Sequence, residues 1–268
     1  MKRFQTNSIF DKSLHYIYYG LCNIYLEMVS YIRLFTGKSY HFAKLKELHN
    51  KYNGRRCFII ATGPSLNIDD ILLLKDEFTI GMNNVCLLYE KVPWRANMLG
   101  VQDKWVYEKI YHVLKDTPEN VFVSREIGRE YPNSRCFNEF PLNFYYHQYD
   151  FRYSEKLGVK FSDNAFRMVY DAYSITFSLM QIAVYMGFKE IYLLGCDCNQ
   201  AVGKVNHFME NGHVESEDKL ATSADRNIFG HMEIKKFCDA HGVKVFNATR
   251  GGALEVYPRV KLEEVISR

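Results

Sequence analysis

The sequence predicts an α/β fold: a Rossmann-like, mainly parallel sheet with helices on both faces, preceded by an N-terminal helical extension. Short apolar runs of strand length alternate with helical patterns, which is typical of parallel sheets with helical crossovers. Each run stops at polar or glycine residues that favour turns. With 268 residues, 47% apolar and 24% charged, the chain is also large and apolar enough to form a globular core.

Residues 1–54 form the predicted N-terminal arm, and residues 55–268 form the predicted α/β domain. Apolar and aromatic residues recur at three- and four-residue spacing from Ser13 to Phe35, which predicts one long helix. A second, more polar helix is predicted from Phe42 to Lys51. The first helix has a thin polar face and many tyrosines. We expect it to contact a membrane surface, to pack on its own domain, or to form a homo-oligomer.

The first predicted strand runs from Cys57 to Ala61 and stops at Thr62-Gly63-Pro64-Ser65, before a helix that begins near Asp69. Glycine and proline together force a tight turn at this point. A strand, a glycine turn and a helix N-terminus together favour anion binding, because free backbone N–H groups and the positive end of the helix dipole point into the turn. An ordinary strand–helix connection without a ligand is the alternative.

The remaining elements alternate in the same way along the chain. A long aromatic connection or lid is predicted at 125–160, and a polar loop at 201–227. Further strands are predicted at 77–82, 96–101, 120–124, 190–194 and 243–247, and further helices at 164–186, 229–241 and 261–266.

The polar residues at the ends of the strands are the candidate binding residues. Parallel sheets bind ligands outside the carboxyl ends of their strands, so these residues are expected to share one cleft. Amide, hydroxyl and carboxylate groups suit a nucleotide, because they can hold its base, ribose and phosphate. The candidates are Thr62, Gly63, Ser65, Asn83, Asn84, Asp103, Gly195, Asp197 and Asn247.

His231 is the candidate general base, because it follows Gly230 at the predicted start of the helix at 229–241. A helix N-terminus lowers the pKa of a histidine and favours its neutral, proton-accepting form. The alternative is that His231 only caps this helix. The sequence contains neither H-E-x-x-H spacing nor a G-x-S-x-G motif, so it predicts no metal site and no serine nucleophile of that kind.

Charge and cysteine content narrow the class of partner and the compartment. The net charge of +3 is too small to indicate nucleic acid as a partner, because a protein that binds a duplex usually carries a clustered basic stripe. The seven cysteines include no C-x-x-C pair and are expected to be reduced, as in the cytoplasm. The sequence contains no run of about 18 uninterrupted apolar residues, so no membrane span is predicted. If the aromatic N-terminal arm contacts a membrane, the protein is expected to lie peripherally on the inner membrane.

Four segments resemble the bacterial sialyltransferases of glycosyltransferase family 42. Gly63-Pro64-Ser65-Leu66 resembles that family's G-x-G-P-S-L opening, and Asn83 continues the match after the second strand. Residues 183–197 resemble its helix–strand–G-x-D segment, and Gly230-His231 resembles its Gly-His pair. The ending 247–254 is more similar to the related MptE-like family, which includes the flagellin-modifying Maf proteins and an archaeal pterin diphosphokinase. The resemblance covers residues 56–266.

The resemblance implies an inverting, metal-independent glycosyltransferase without a cofactor. Its substrates would be a nucleotide-sugar donor, with a CMP-sugar favoured, and a glycan or lipid-linked acceptor of bacterial surface polysaccharide synthesis. His231 would take the acceptor proton, Asn83 and Asp197 would bind the ribose or base, and Gly63 and Ser65 would lie by the phosphate. The family's tyrosines after G-x-D are absent here, so the phosphate is expected to rely on one of Lys204, His207, Arg226 and Arg250.

Two functions of other classes stay open on the sequence. A pterin diphosphokinase would need ATP, Mg²⁺ and a carboxylate cluster, to which Asp103 and Asp197 could contribute if they face each other. A nucleotide-binding module without catalysis would instead use its aromatic arm for assembly.

Overall fold

The computed structural model of the chain describes residues 9–145, 159–172, 174–199 and 217–267. Its strands are β1 (Arg56–Ile60), β2 (Thr79–Met82), β3 (Met98–Val101), β4 (Val121–Ser124), β5 (Asn138–Phe140), β6 (Leu142–Asn143), β7 (Val169–Tyr170), β8 (Glu190–Leu194) and β9 (Lys244–Asn247). Its α-helices are α1 (Ile9–Thr36), α2 (Ala43–Glu47), α3 (Ile68–Leu73), α4 (Lys104–Leu114), α5 (Arg125–Glu130), α6 (Ile175–Tyr185), α7 (Glu217–Ala240) and α8 (Leu262–Ile266).

One sheet holds seven of these strands in the spatial order β5-β4-β3-β2-β1-β8-β9, and β6 pairs separately with β7. Every neighbouring pair in the large sheet is parallel. The predicted mainly parallel α/β fold is therefore confirmed, and the order of its strands reverses between β1 and β8.

Alternate side chains of β1 enter two separate apolar clusters, one on each face of the sheet. Cys57 and Ile59 pack on one face with side chains of α2, α6 and α7, whereas Phe58 and Ile60 pack on the other with side chains of α3, α4 and α8. This is the two-residue period of a strand that is buried on both sides. The predicted helices on both faces are confirmed.

The predicted N-terminal helix is confirmed as α1, and the segment after it packs into the α/β domain. Phe42, Leu45 and Leu48 are buried in the apolar cluster that also holds α6 and α7. All seven cysteines are free thiols. Within the described ranges, no helix combines the length and the hydropathy that crossing a membrane requires.

The predicted helix at 164–186 is wrong in its first half, because α6 begins only at Ile175 and Val169–Tyr170 forms β7. The fully buried Gln181 of α6 accounts for the difference. Its Oε1 accepts the backbone N–H of Tyr170 at 3.0 Å, and its Nε2 donates to the Tyr170 carbonyl at 2.7 Å. The Tyr170 backbone is thus satisfied without a helix.

The predicted start of the last long helix at Phe229 is also wrong, because α7 begins at Glu217. Residues 217–227 are mostly polar, so no apolar periodicity marked them as helical. β5 lies inside the connection predicted at 125–160, while residues 146–158 of that connection are outside the described ranges.

Candidate functional site

The carboxyl ends of β1 and β8 form the candidate site, because they flank the point where the strand order reverses. β2 to β5 extend the sheet on one side of β1, and β8 and β9 extend it on the other. The helices that follow β1 and β8 along the chain, α3 and α7, pack on opposite faces of the sheet. In open α/β sheets, this is the point at which a crevice outside the strand ends binds ligands.

The turn after β1 packs directly against the turn after β8 at Gly63. The Gly63 N–H donates to the Gly195 carbonyl at 2.8 Å. A β-carbon at position 63 would overlap Oδ2 of Asp197 and the Gly195 carbonyl, and would lie 2.8 Å from Cγ of Asp197. Only glycine allows this approach of the two backbones, which explains the residue type.

Asp197 is the charged group at the centre of this contact. Its side chain is buried, and its Oδ2 accepts a hydrogen bond from the Ser65 hydroxyl at 2.8 Å. Burial raises the pKa of Asp197, and the hydrogen bonds from Ser65 partly oppose that rise. The structure thus brings together four predicted residues, Gly63, Ser65, Gly195 and Asp197.

The loop after β9 supports the backbone of the Asp197 turn. The Ala253 N–H donates to the Asp197 carbonyl at 2.7 Å, and a β-carbon at Gly252 (φ +76°) would lie 2.7 Å from Cα of Asp197. Arg259 holds this loop by donating to the carbonyls of Thr249 at 3.1 Å and Gly251 at 2.7 Å. The loop therefore fixes where the Asp197 carboxylate lies.

Asn247 belongs to this supporting loop rather than to the open crevice. Its side chain is fully buried. Its Nδ2 donates to the Leu254 carbonyl at 2.7 Å, and its Oδ1 accepts the Thr249 N–H at 3.0 Å. Both polar ends are used to close the loop, so the structure gives this predicted binding residue a role in shaping the site.

Backbone strain marks the ends of β2 and β8. Asn83 has φ +48° and Cys198 has φ +49°, a conformation that is uncommon outside glycine and concentrates at functional sites. The Oδ1 atom of Asn83 is buried and has no hydrogen-bond partner among the described residues. A buried oxygen without a partner is unusual, and a ligand donor would satisfy it. Asn84 follows in a buried 3-10 helix over Asn83–Glu90.

His231 lies in the interior of α7, not at its start, and its side chain is buried. Its Nδ1 is 3.1 Å from the Tyr257 hydroxyl, and that hydroxyl donates to the His231 carbonyl at 3.0 Å. A hydroxyl has one proton, so Nδ1 carries a proton and donates to the Tyr257 oxygen, which leaves the lone pair on Nε2. The ring is therefore held in one tautomer.

Burial lowers the pKa of His231 to about 4, so the imidazole is neutral at physiological pH. The predicted effect was right in direction, but its cause is burial and not a helix N-terminus. Tyr257 lies in the same buried cluster as Cys196 and Cys198 of the turn after β8, and burial raises its pKa. The histidine that it contacts thus lies on the same side of the sheet as that turn.

The N-terminus of α6 is a part of the site that sequence analysis missed. The Ser174 hydroxyl caps this helix by accepting the Thr176 N–H at 3.2 Å. The Thr176 hydroxyl is 3.5 Å from the sulfur of Met82, the last residue of β2, which puts the helix N-terminus at the carboxyl edge of the sheet. A serine before an apolar run was the available signal, but the predicted helix at 164–186 hid it.

The structure does not bring Asp103 to Asp197. Asp103 is exposed and caps α4 by accepting the Val106 N–H at 3.0 Å. It follows β3, which is three strand spacings from β8, or about 14 Å. The two carboxylates therefore do not form a pair that could share a cation.

Of the four predicted phosphate residues, Arg250 and Arg226 lie within the described ranges. Arg250 forms a bidentate pair with Asp70 of α3, at 2.8 and 2.7 Å, and also pairs with Glu263. These hydrogen bonds raise its pKa. Arg226 lies in α7, five residues before His231. Lys204 and His207 lie outside the described residues, and Thr62 follows β1 at the edge of the crevice.

Comparison with known proteins does not assign the chain to a family. No protein-family model matches the chain, and no curated protein sequence matches it. Within the described ranges, no three His, Cys, Asp or Glu side chains come together as a group that could hold a metal ion.

Proposed function

We infer that the chain is an inverting glycosyltransferase that uses a nucleotide-sugar donor, with a CMP-sugar favoured, and needs no metal. The observation that carries this proposal is the buried, neutral His231, whose Nε2 lone pair is fixed by the Nδ1 contact to Tyr257. A neutral imidazole with one defined basic nitrogen suits proton removal from an acceptor hydroxyl. The resemblance of the sequence to family 42 sialyltransferases supports the donor class.

Donor binding is assigned to the crevice between β1 and β8. The buried, unpartnered Oδ1 of Asn83 and the carboxylate of Asp197 would accept hydrogen bonds from the ribose or base. The turn at Gly63 and Ser65 would lie by the phosphate. The N-terminus of α6, capped by Ser174, would stabilise the departing phosphate through its free N–H groups and its dipole. This would replace the tyrosines that the sialyltransferases use.

Transfer would then proceed in one displacement step. The acceptor hydroxyl oxygen attacks the anomeric carbon from the side opposite the phosphate, and its proton passes to Nε2 of His231. The bond between the anomeric carbon and the phosphate oxygen breaks, and the phosphate keeps the bonding pair. With a CMP-sugar the leaving group is CMP, and the sugar inverts its configuration. The acceptor would be a glycan or a lipid-linked glycan of the bacterial surface.

A His231→Asn variant tests this assignment. The Asn side-chain amide can still donate to Tyr257, so the fold and donor affinity should be retained while the base is lost. We expect release of CMP from a CMP-sugar in the presence of acceptor to fall about 10²- to 10⁴-fold, with an unchanged circular dichroism spectrum. Wild-type turnover in this variant would remove His231 from the mechanism.

A further inference from the structure

Helix α1 exposes a continuous apolar stripe on the outer surface of the molecule. Leu14, Leu21, Met28 and Phe35 follow one another at seven-residue spacing, and each of these side chains is more than half exposed. A monomeric protein rarely exposes a contiguous apolar patch larger than a few hundred Å². A stripe that runs from Leu14 to Phe35 spans about 30 Å of helix.

The stripe is a complete heptad pattern. The positions three residues after Leu14, Leu21 and Met28 hold Ile17, Ile24 and Tyr31. The positions directly after these hold Tyr18, Tyr25 and Ile32. All of these side chains are more than half exposed as well. Three apolar positions per heptad without an exception form the face of a helix that packs against other helices.

The opposite, polar face of α1 contacts the protein's own α/β domain. Asn143 donates to Asn23 at 2.8 Å, and Arg167 donates to Glu27 at 2.8 Å. Arg33 donates to the carbonyl of Arg167 at 2.9 Å. The two charged residues between 13 and 36, Glu27 and Arg33, therefore both face inward. These contacts fix the apolar face outward and leave it without charge.

We propose that this stripe is the interface through which copies of the chain form a homo-oligomer. Ten side chains of this size, each at least half exposed, present roughly 1,000 Å², more than the about 800 Å² per partner of a standard interface. A helix on a membrane surface typically places a basic polar face toward water, whereas the polar face of α1 is used by its own domain. A stripe with three apolar positions per heptad is wide enough to pack against more than one neighbouring helix.

Sedimentation equilibrium of the full chain, with two leucine variants of α1, tests the proposal. Leu21→Glu puts a charge in the stripe, whereas Leu34→Glu makes the same change on the same helix outside the heptad positions. Both leucines are exposed, at 62% and 42%, so neither change should unfold the chain, and circular dichroism checks this. We expect an oligomer for the wild type and Leu34→Glu at about 10 µM, and at least about 100-fold weaker association for Leu21→Glu.

Three results would overturn the proposal. The first is a wild-type chain that stays monomeric up to about 100 µM. The second is a folded Leu21→Glu variant that associates as strongly as the wild type. The third is a wild-type monomer that floats with vesicles of phosphatidylglycerol and phosphatidylethanolamine, because the stripe would then bind membrane.

Discussion

Replacement of Gly63 by alanine should strongly destabilise the protein, because the turns after β1 and β8 leave no room for a side chain. The new β-carbon would overlap Asp197 and the Gly195 carbonyl, so one of the two turns must move. Overpacking costs about 1–3 kcal/mol, and loss of the charge-assisted bond from Ser65 to Asp197 costs about 1.5–3 kcal/mol more. The expected loss of unfolding free energy is therefore about 2.5–6 kcal/mol.

Urea unfolding followed by circular dichroism measures this loss, with Gly20→Ala as the control. A β-carbon at Gly20, in the interior of α1, meets no atom within 4 Å, and alanine is about 1 kcal/mol better than glycine in a helix. We expect the Gly63→Ala midpoint to fall by about 1–2 M urea and the Gly20→Ala midpoint to stay or rise. A Gly63→Ala midpoint within error of the wild type would refute the close approach of the two turns.

Three other residues give separate predictions from their contacts. Because burial lowers the His231 pKa from 6.5 to about 4, the unfolded chain binds one more proton in that range. The contribution of His231 to the free energy of unfolding should therefore fall by about 3 kcal/mol from pH 7 to pH 4. Over this range His231→Asn should lose about that much less stability than the wild type, and parallel pH curves would contradict this. Arg250→Ala should lower the free energy of unfolding by about 1–2 kcal/mol, because it leaves the buried Asp70 without this ion pair. Calorimetry should find that the nucleotide affinity of this variant is unchanged. A tenfold loss of affinity would instead support the predicted phosphate role of Arg250. Glu27→Gln should weaken the ion pair with Arg167, so hydrogen exchange should show lower protection of the backbone amides in α1. Equal protection in the variant and the wild type would mean that this pair does not hold α1 on the α/β domain.

The sheet and the central part of the site could be predicted from the sequence because they depend on local signals. An apolar run that ends in glycine specifies both a strand and its turn, and parallel strands share one edge. That reasoning alone placed Gly63, Ser65 and Asp197 near one another. It could not separate residues that face a crevice from residues that close a loop, so Asn247 was grouped with them although its side chain is bonded within its own loop.

Other parts of the structure depend on contacts that no local pattern reveals. Arg250 lies 180 residues from Asp70 in the chain, so their ion pair could not be found from spacing. The start of α6 was hidden because Gln181 satisfies the Tyr170 backbone from a neighbouring element. The start of α7 was missed because its first turns are polar, and the cause of the lowered His231 pKa was misassigned for the same reason.

A thermal-shift screen with CMP, CDP, UDP, GDP and ATP, each with Mg²⁺ or with a chelator, tests the proposed nucleotide site most directly. A ligand at about 100 times its Kd adds about 2.7 kcal/mol of stability, which such a screen resolves. We expect CMP to stabilise the chain equally well with the chelator. Stabilisation by ATP with Mg²⁺ alone, or by none of the five nucleotides, would contradict the proposed donor site.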